Sequence, residues 1–128
     1  MPQQNLEQLR AAHALSKAAA LNRQDTRKLP ALILNNGFLA AAAFTLDSAA
    51  RNGMRDVVVA IGQHLHQRGH LHREPVGADN NERVKSLLGE LSGKSSLDLQ
   101  RATDEALAYL GYLKRFAAKR ASDDESED

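Results

Sequence analysis

Apolar residues recur at the spacing of an α-helix along most of this chain. Leu99, Ala102, Ala106 and Leu110, for example, follow one another at intervals of three or four residues, which places their side chains on one helix face. No segment reads as a strand hairpin, because every apolar period is near 3.6 residues. The periodicity therefore predicts an all-α protein that forms a single compact bundle of about five helices.

Polar stretches separate the predicted helices. We predict helices over residues 6–21, 29–48 and 54–67, a short fourth helix that carries Val84 and Leu91, and a final helix after the linker 92–96. Pro30 is expected in a first helical turn, where its missing amide is tolerated. Residues predicted to start or stop helices are Asp25 or Thr26, the turn at Asn52-Gly53, Gly69, Asp79 to Asn81, and Ser96.

The second predicted helix contains the triplet Asn35-Asn36-Gly37, a pattern that usually favours a turn. Its apolar positions keep the helical spacing on both sides, so we predict one helix that runs through the triplet. Gly37 would then lie where another helix approaches too closely for a side chain, and Gly37→Leu would overpack the contact. If the triplet is instead an exposed turn, this segment is two helices.

The core is expected to be thin. Hydrophobic residues make up 42% of the chain, but many are alanines and aromatic residues are only 4%. A buried alanine methyl contributes far less than a buried leucine, which is worth roughly 1.5–3 kcal/mol. A thin core makes the surfaces that contact other proteins more important to the stability of the fold. A subunit that is always part of a complex can tolerate this dependence.

Several classes of protein are excluded or disfavoured. The chain has no cysteine, which excludes disulfides, thiol catalysis and thiolate-bound metal centres. Its longest strongly apolar run, near residues 40–44, is too short to span a bilayer. The polar start Met1-Pro2-Gln3-Gln4 lacks the pattern of a signal peptide, so we expect a cytoplasmic protein without a membrane partner.

Four histidines, His64, His66, His70 and His72, lie within nine residues. Helical positions two apart face different directions, and no carboxylate lies inside the run, so the spacing argues against a shared metal ion. We interpret the run as a solvated helix end with its loop. Contact between this loop and RNA is somewhat better supported than metal binding.

No catalytic constellation is visible. Asp104 and Glu105 are adjacent on a helix and diverge, and the segment that ends in Gly93-Lys94-Ser95 has Leu88 where a phosphate-binding loop needs glycine. We therefore predict a protein that is not an enzyme and needs no cofactor or metal.

The charge is distributed unevenly. Residues 122–128 carry five acidic residues and no basic one, which leaves 17 basic against 11 acidic residues in the rest of the chain, a formal charge of +6. We predict a helical domain over 1–121 and an acidic tail over 122–128. The composition favours a disordered, solubilising tail over one that competes with RNA for the basic body.

Basic residues form two groups at predicted helix ends, and these are the predicted RNA contacts. Aromatic residues for base stacking are scarce, so contact with the RNA backbone is favoured over base reading. Helix C-termini also attract basic residues through the macrodipole, which is the alternative explanation. The candidates are Lys114, Arg115, Arg27 and Lys28 first, then Lys17, Arg23, Lys119 and Arg120.

Two segments carry distinctive residues at fixed spacing. Within residues 28–44 these are Leu29-Pro30, Ile33, Asn36-Gly37 and Ala43-Phe44. Within residues 99–117 they are Thr103, Glu105, Leu107, Leu110 and the run from Leu113 to Ala117. Through these residues the two segments resemble the signature helices of the small subunit of the Cmr-type (type III-B) CRISPR–Cas effector. Phe38 stands where leucine is usual and Tyr112 where tryptophan is usual, and both changes keep a large apolar side chain.

The resemblance implies a non-catalytic structural subunit of a complex that targets invading RNA. Its implied partners are the other Cmr-type subunits, further copies of itself, and the guide and target RNA. A stand-alone helical adaptor that binds protein and has no RNA affinity remains the alternative. A metal-dependent enzyme that uses the histidines is a weaker one.

Overall fold

The computed structural model describes residues 4–46, 48 and 51–117. Over these residues the fold is an all-α compact bundle of six helices without a β-strand, which confirms the predicted class. Lys119, Arg120 and the acidic segment 122–128 lie outside the described residues. The helices are α1 (Leu6–Ala18), α2 (Arg23–Asn36), α3 (Phe38–Phe44), α4 (Asn52–Gln67), α5 (Asn80–Ser92) and α6 (Ser96–Phe116).

Side-chain caps determine where most of these helices begin. Asn5 and Gln8 form a reciprocal capping box at the start of α1, and the side chains of Asp79 and Ser95 accept backbone amides at the starts of α5 and α6. Ser95 therefore caps α6, not Ser96 as predicted. The interpretation of Asp79 as a cap acid is confirmed, whereas the prediction that Asn80 or Asn81 caps α5 was wrong, because both lie inside the helix.

The start of α2 was predicted too late. The side chain of Asn22 accepts the amides of Gln24 and Asp25, so Asn22 is the cap in place of Asp25 or Thr26. The helix consequently begins six residues before Leu29, and Pro30 lies inside it rather than in its first turn. Because proline has no backbone N–H, α2 lacks the hydrogen bond that residue 30 would otherwise donate to the carbonyl of Thr26.

Gly37 separates two helices and does not lie within one. Its backbone has φ 90° and ψ 159°, a conformation that L side chains rarely adopt, and it ends α2 while it begins α3. The residue is exposed, and a Cβ built on it would have nothing within 4 Å. The predicted close approach at Gly37 was therefore wrong, because the turn signal of the triplet outweighs the helical spacing. A larger residue here would strain the backbone and would not overpack a contact.

The two ends of α4 differ in how well the sequence predicted them. Asn52 and Gly53, predicted as a turn, form its first turn, and a Cβ on Gly53 would collide with the carboxylate of Asp25. The Asp25 carboxylate thus lies at the N-terminus of α4, where the helix dipole favours a negative charge. At the other end Gly69 is confirmed as the stop, with amides of 69 and 70 bonded to the carbonyls of 66 and 65.

Helix α6 lies at the centre of the bundle and packs against α1, α2 and α4. Its predicted apolar stripe is buried at Ala102, Ala106, Leu110 and Leu113. Alanines recur throughout the core, which agrees with the predicted thin packing. The buried alanines are Ala14, Ala18, Ala41, Ala42, Ala60, Ala102, Ala106 and Ala117.

A close approach does occur, but at Gly62 in α4. A Cβ on Gly62 would fall 2.7 Å from Cγ of Pro75 and 3.3 Å from Cδ2 of Leu87. The glycine therefore allows the loop after α4, and helix α5, to pack directly on the α4 backbone.

We expect Gly62→Ala to be less stable than Gly89→Ala by about 1–3 kcal/mol, the usual cost of overpacking. Both substitutions gain the same helix propensity, but Gly89 in α5 has nothing within 4 Å of a built Cβ. The free energies of unfolding in urea measure the difference. Equal stabilities for the two variants would contradict the close packing at Gly62.

Candidate functional site

The densest polar cluster among the described residues is centred on Glu105 of α6. Its carboxylate is almost fully buried and accepts two hydrogen bonds from Arg10 of α1, from Nε to Oε2 at 2.7 Å and from Nη2 to Oε1 at 2.7 Å. Nε2 of His64 in α4 lies 2.8 Å from Oε2 of the same carboxylate. One buried charge therefore connects three helices.

Two further rings complete this cluster. The ring of His64 stacks on that of Tyr109 with centroids 4.1 Å apart and an angle of 6° between their planes. Nδ1 of His13 lies 2.5 Å from the Tyr109 hydroxyl, so α1 contacts α6 a second time. We define the buried polar cluster as Arg10, His13, His64, Glu105 and Tyr109.

The prediction that His64 belongs to a solvated helix end was wrong, since its side chain is fully buried. One signal was present in the sequence: His64 lies three residues after Ile61 and beside Leu65, on the apolar stripe of α4. Its partner Glu105 is 41 residues away, a distance at which no local spacing indicates a contact.

The other three histidines do not join His64. His66 and His70 are partly buried and His72 is exposed. The backbone amides of His72 and Arg73 donate to the Glu90 carboxylate, which holds the loop on α5. Within the described parts of the chain, no group of three or more histidine, aspartate or glutamate side chains is placed to hold a metal ion.

The electrostatics assign a charge to each member of the cluster. Burial lowers the pKa of His13 to about 4, and the positive charges of Lys17 and Arg68, together with that of His64 when it is protonated, act in the same direction. Burial also lowers the pKa of His64, and the opposing hydrogen bond to Glu105 does not outweigh it. At neutral pH both rings are therefore neutral.

For Glu105, the effect of the hydrogen bonds and of the neighbouring charge on the pKa outweighs the effect of burial. Burial alone would raise its pKa, but the hydrogen bonds from Arg10 and His64 and the positive charge of Arg10 lower it overall. Because an ionised carboxylate can only accept, Nε2 of the neutral His64 carries the proton and donates to it. Both carboxylate oxygens are thus occupied, and the carboxylate presents no open position to a substrate.

The structure brings most of the predicted RNA-contacting residues to one end of the bundle. Nε of Arg23, at the start of α2, donates to the carbonyl of Ala117, just after α6, at 3.3 Å. Only residues 19–22 separate the end of α1 from α2, so the ends of three helices adjoin. We name this surface the basic end, and its basic residues are Lys17, Arg23, Arg27, Lys114 and Arg115.

Exposure differs among these residues. Lys114 and Arg115 are exposed in the last turn of α6, Arg27 is exposed in α2, and Lys17 and Arg23 are partly buried. Lys28 is exposed too, but it lines a separate groove of about 520 Å³ with Leu32, Phe44 and Met54. Lys28 therefore lies beside the basic end and faces the groove between α2, α3 and α4.

The helix macrodipole accounts for part of this arrangement. Lys17, Lys114 and Arg115 lie in last turns, where positive charge is favourable. Arg23 occupies the first position of α2, where a positive charge is unfavourable. Its bond to the carbonyl of Ala117 compensates, because it satisfies an acceptor at the end of α6.

Fold and surface together define a small helical module whose polar cluster is sealed and whose basic residues are gathered at one end. The family model described as CRISPR-associated protein (Cas_Cmr5) matches residues 6–119. The chain belongs to this family, the small subunit of the type III-B Cmr complex, and is thus a subunit of a type III-B CRISPR effector.

Comparison with curated proteins gives no match, and comparison with solved structures gives none either. Among the described helices, none combines the length and the apolar character that crossing a membrane requires.

We expect the free energy of unfolding to fall as the pH drops from about 6.5 to 4. The pKa of His13 is lower in the folded than in the unfolded chain, so its contribution is complete above the unfolded value and is lost in acid. For His13 the loss approaches about 3 kcal/mol. Below the ordinary carboxyl range, protonation of Glu105 continues the fall.

Urea unfolding at several pH values measures this dependence. His13→Gln should be less stable at neutral pH but should lose less stability between pH 6.5 and 4. His72→Gln, at an exposed position, is the matched control and should keep the dependence of the parent. Parallel curves for the parent and His13→Gln would contradict the assignment of a neutral, buried His13.

Proposed function

We propose that this subunit is a non-catalytic, structural component of the effector and that its basic end contacts the phosphates of the guide and target RNA. One observation carries the proposal: the bond between Arg23 and Ala117 joins the start of α2 to the end of α6, and the short connection 19–22 adds the end of α1. Basic residues that are up to about 100 positions apart in sequence thereby lie at the same end of the bundle. On this proposal the folded unit extends over residues 1–121.

Charge supports phosphate binding at this surface. Outside residues 122–128 the chain carries a formal charge of +6. Lys114 and Arg115 are exposed and form no ion pair with any described residue. Long cationic side chains of this kind release counterions when they neutralise phosphates, which supplies sequence-independent affinity.

The aromatic residues support contact with the RNA backbone over base reading. Phe38 and Tyr109 are buried, the ring of Phe44 is covered by the Arg51 guanidinium at 3.7 Å, and the Tyr112 hydroxyl donates to Glu7. Phe116 is left as a partly exposed ring near the basic end. A single ring is a poor platform for successive bases, so we expect little sequence preference.

The non-catalytic role is supported by the buried polar cluster, which combines the residue types of acid–base catalysis but keeps them from solvent. Glu105 accepts hydrogen bonds from Arg10 and His64, and Tyr109 is fully buried. We propose that this chain contributes shape and charge to the complex, with the other Cmr-type subunits and further copies of itself as neighbours.

The protein-binding adaptor remains a second candidate, because large apolar side chains are exposed on α1 and α2. Leu34 is 72% exposed and Leu15 is 61% exposed, on two of the helices that form the basic end. Exposed leucines suit a protein neighbour. The two proposals differ in whether the basic residues face RNA or the acidic residues of another subunit.

We expect the combined charge reversal of Arg27, Lys28, Lys114 and Arg115 to glutamate to weaken binding of RNA by the assembled effector. The slope of log affinity against log salt should become shallower by about 0.7 to 0.9 for every phosphate that is no longer neutralised. Filter binding of target RNA at several salt concentrations gives the slope, and size-exclusion chromatography measures assembly. Circular dichroism confirms that the variants remain helical.

The matched control is Lys85/Lys94→Glu, compared with Lys114/Arg115→Glu, because both pairs change the charge by the same amount. Lys85 lies in α5 and Lys94 lies in the connection to α6. If the two pairs weaken RNA binding equally, the effect reflects net charge and the basic end is not the contact surface. If assembly fails and RNA affinity survives, the adaptor proposal is favoured.

A further inference from the structure

The described chain ends at the basic end. Ala117, whose carbonyl accepts the bond from Arg23, is followed by four residues and then by the acidic segment 122–128. Its five acids are Asp123, Asp124, Glu125, Glu127 and Asp128. The most acidic stretch of the sequence therefore follows shortly after the basic end.

The connection is short enough to keep the segment at this surface. An extended chain spans at most about 3.3–3.6 Å per residue, so the connection from Ala117 to Asp123 can span no more than roughly 20 Å. Lys114 and Arg115 lie within one helical turn of Ala117, and Arg23 touches it. A short tether of this kind gives an effective concentration of about a millimolar or more.

The charges of the two partners are complementary. The basic end carries five positive charges, and the acidic segment carries five negative charges within six residues. An extended peptide with this composition has nearly one charge per about 3.4 Å, a spacing comparable with the phosphates along one strand of a duplex. The charge spacing of the acidic segment thus resembles that of RNA, which is the proposed ligand of the basic end.

We propose that the acidic segment 122–128 docks on the basic end and competes there with RNA. Composition alone favours a solubilising tail, but the adjoining helix ends add a complementary surface at the point of attachment. The competition rests on the proposed function, whereas the docking does not. A dense array of phosphates, as in a guide–target duplex, displaces the segment, and isolated or short RNA does so poorly.

The docking can be measured without RNA. Because the chain has no cysteine, Ser126→Cys introduces one site for a nitroxide spin label, and the 14.0 kDa protein is suited to NMR. We expect paramagnetic broadening of the amides of Lys114, Arg115 and the last turn of α1, with the amides of α5 unaffected. The broadening should weaken in 500 mM salt because the contact is between exposed charges.

Charge reversal of Lys114 and Arg115 should abolish the broadening of the last turn of α1, whereas Lys85/Lys94→Glu should leave it unchanged. Broadening that is absent, or that is the same in low and high salt, would overturn the docking. Broadening centred on α4 or α5 would also overturn it, because the segment would then occupy another surface.

The competition is tested with a 20-nucleotide oligouridine and the full chain. We expect Asp123/Asp124→Asn to tighten binding by about threefold to tenfold in 50 mM salt, and the gain to vanish in high salt. The control, Glu74→Gln with Asp104→Asn, removes the same charge from exposed positions in the loop after α4 and in α6. Equal gains in the two variants would overturn the competition.

The two experiments separate the inference from the proposed function. If the spin label shows that the segment docks, but no variant binds RNA, the proposed function is overturned and the docking stands. RNA affinity at the basic end without a docked label would overturn the inference and leave the proposed function standing.

Discussion

The buried carboxylate of Glu105 is the constraint on which the arrangement of the helices depends. A charge removed from water is strongly destabilising unless it is paired, and leaving one partner of a buried pair uncompensated costs about 3–5 kcal/mol. Glu105 of α6 is paired only when α1 presents Arg10 and α4 presents His64 at the same point. In a core that includes eight alanines among its described residues, these directional bonds select one arrangement.

The basic end follows from this arrangement. With α1 and α4 held against the middle of α6, the last turn of α6 lies beside the start of α2, where Arg23 reaches the carbonyl of Ala117. The short connection 19–22 adds the end of α1. A sealed polar cluster in the centre thus positions an exposed charged surface at one end.

Much of the fold could be predicted from the sequence because it is local. The apolar stripe of α6, the end of α4 at Gly69 and the absence of strands from the described residues all follow from periodicity and capping. The break at Gly37 could not be decided, since the turn signal and the helical spacing conflict there. The pairing of His64 with Glu105 and the close packing at Gly62 depend on residues from other helices, so no local pattern contains them. The basic residues were identified individually, but their common surface required the tertiary structure.

The proposed RNA-contacting surface is tested most directly by the chemical reactivity of the six lysines with and without RNA. Acetylation of the full chain, followed by mass spectrometry, measures the accessibility of each lysine separately. We predict that a 20-nucleotide RNA in low salt protects Lys114 most and Lys17 less, and that Lys85 and Lys94 react as before. Protection of Lys85 and Lys94 to the same degree, or no protection of Lys114, would contradict the assignment of the basic end as the RNA-contacting surface.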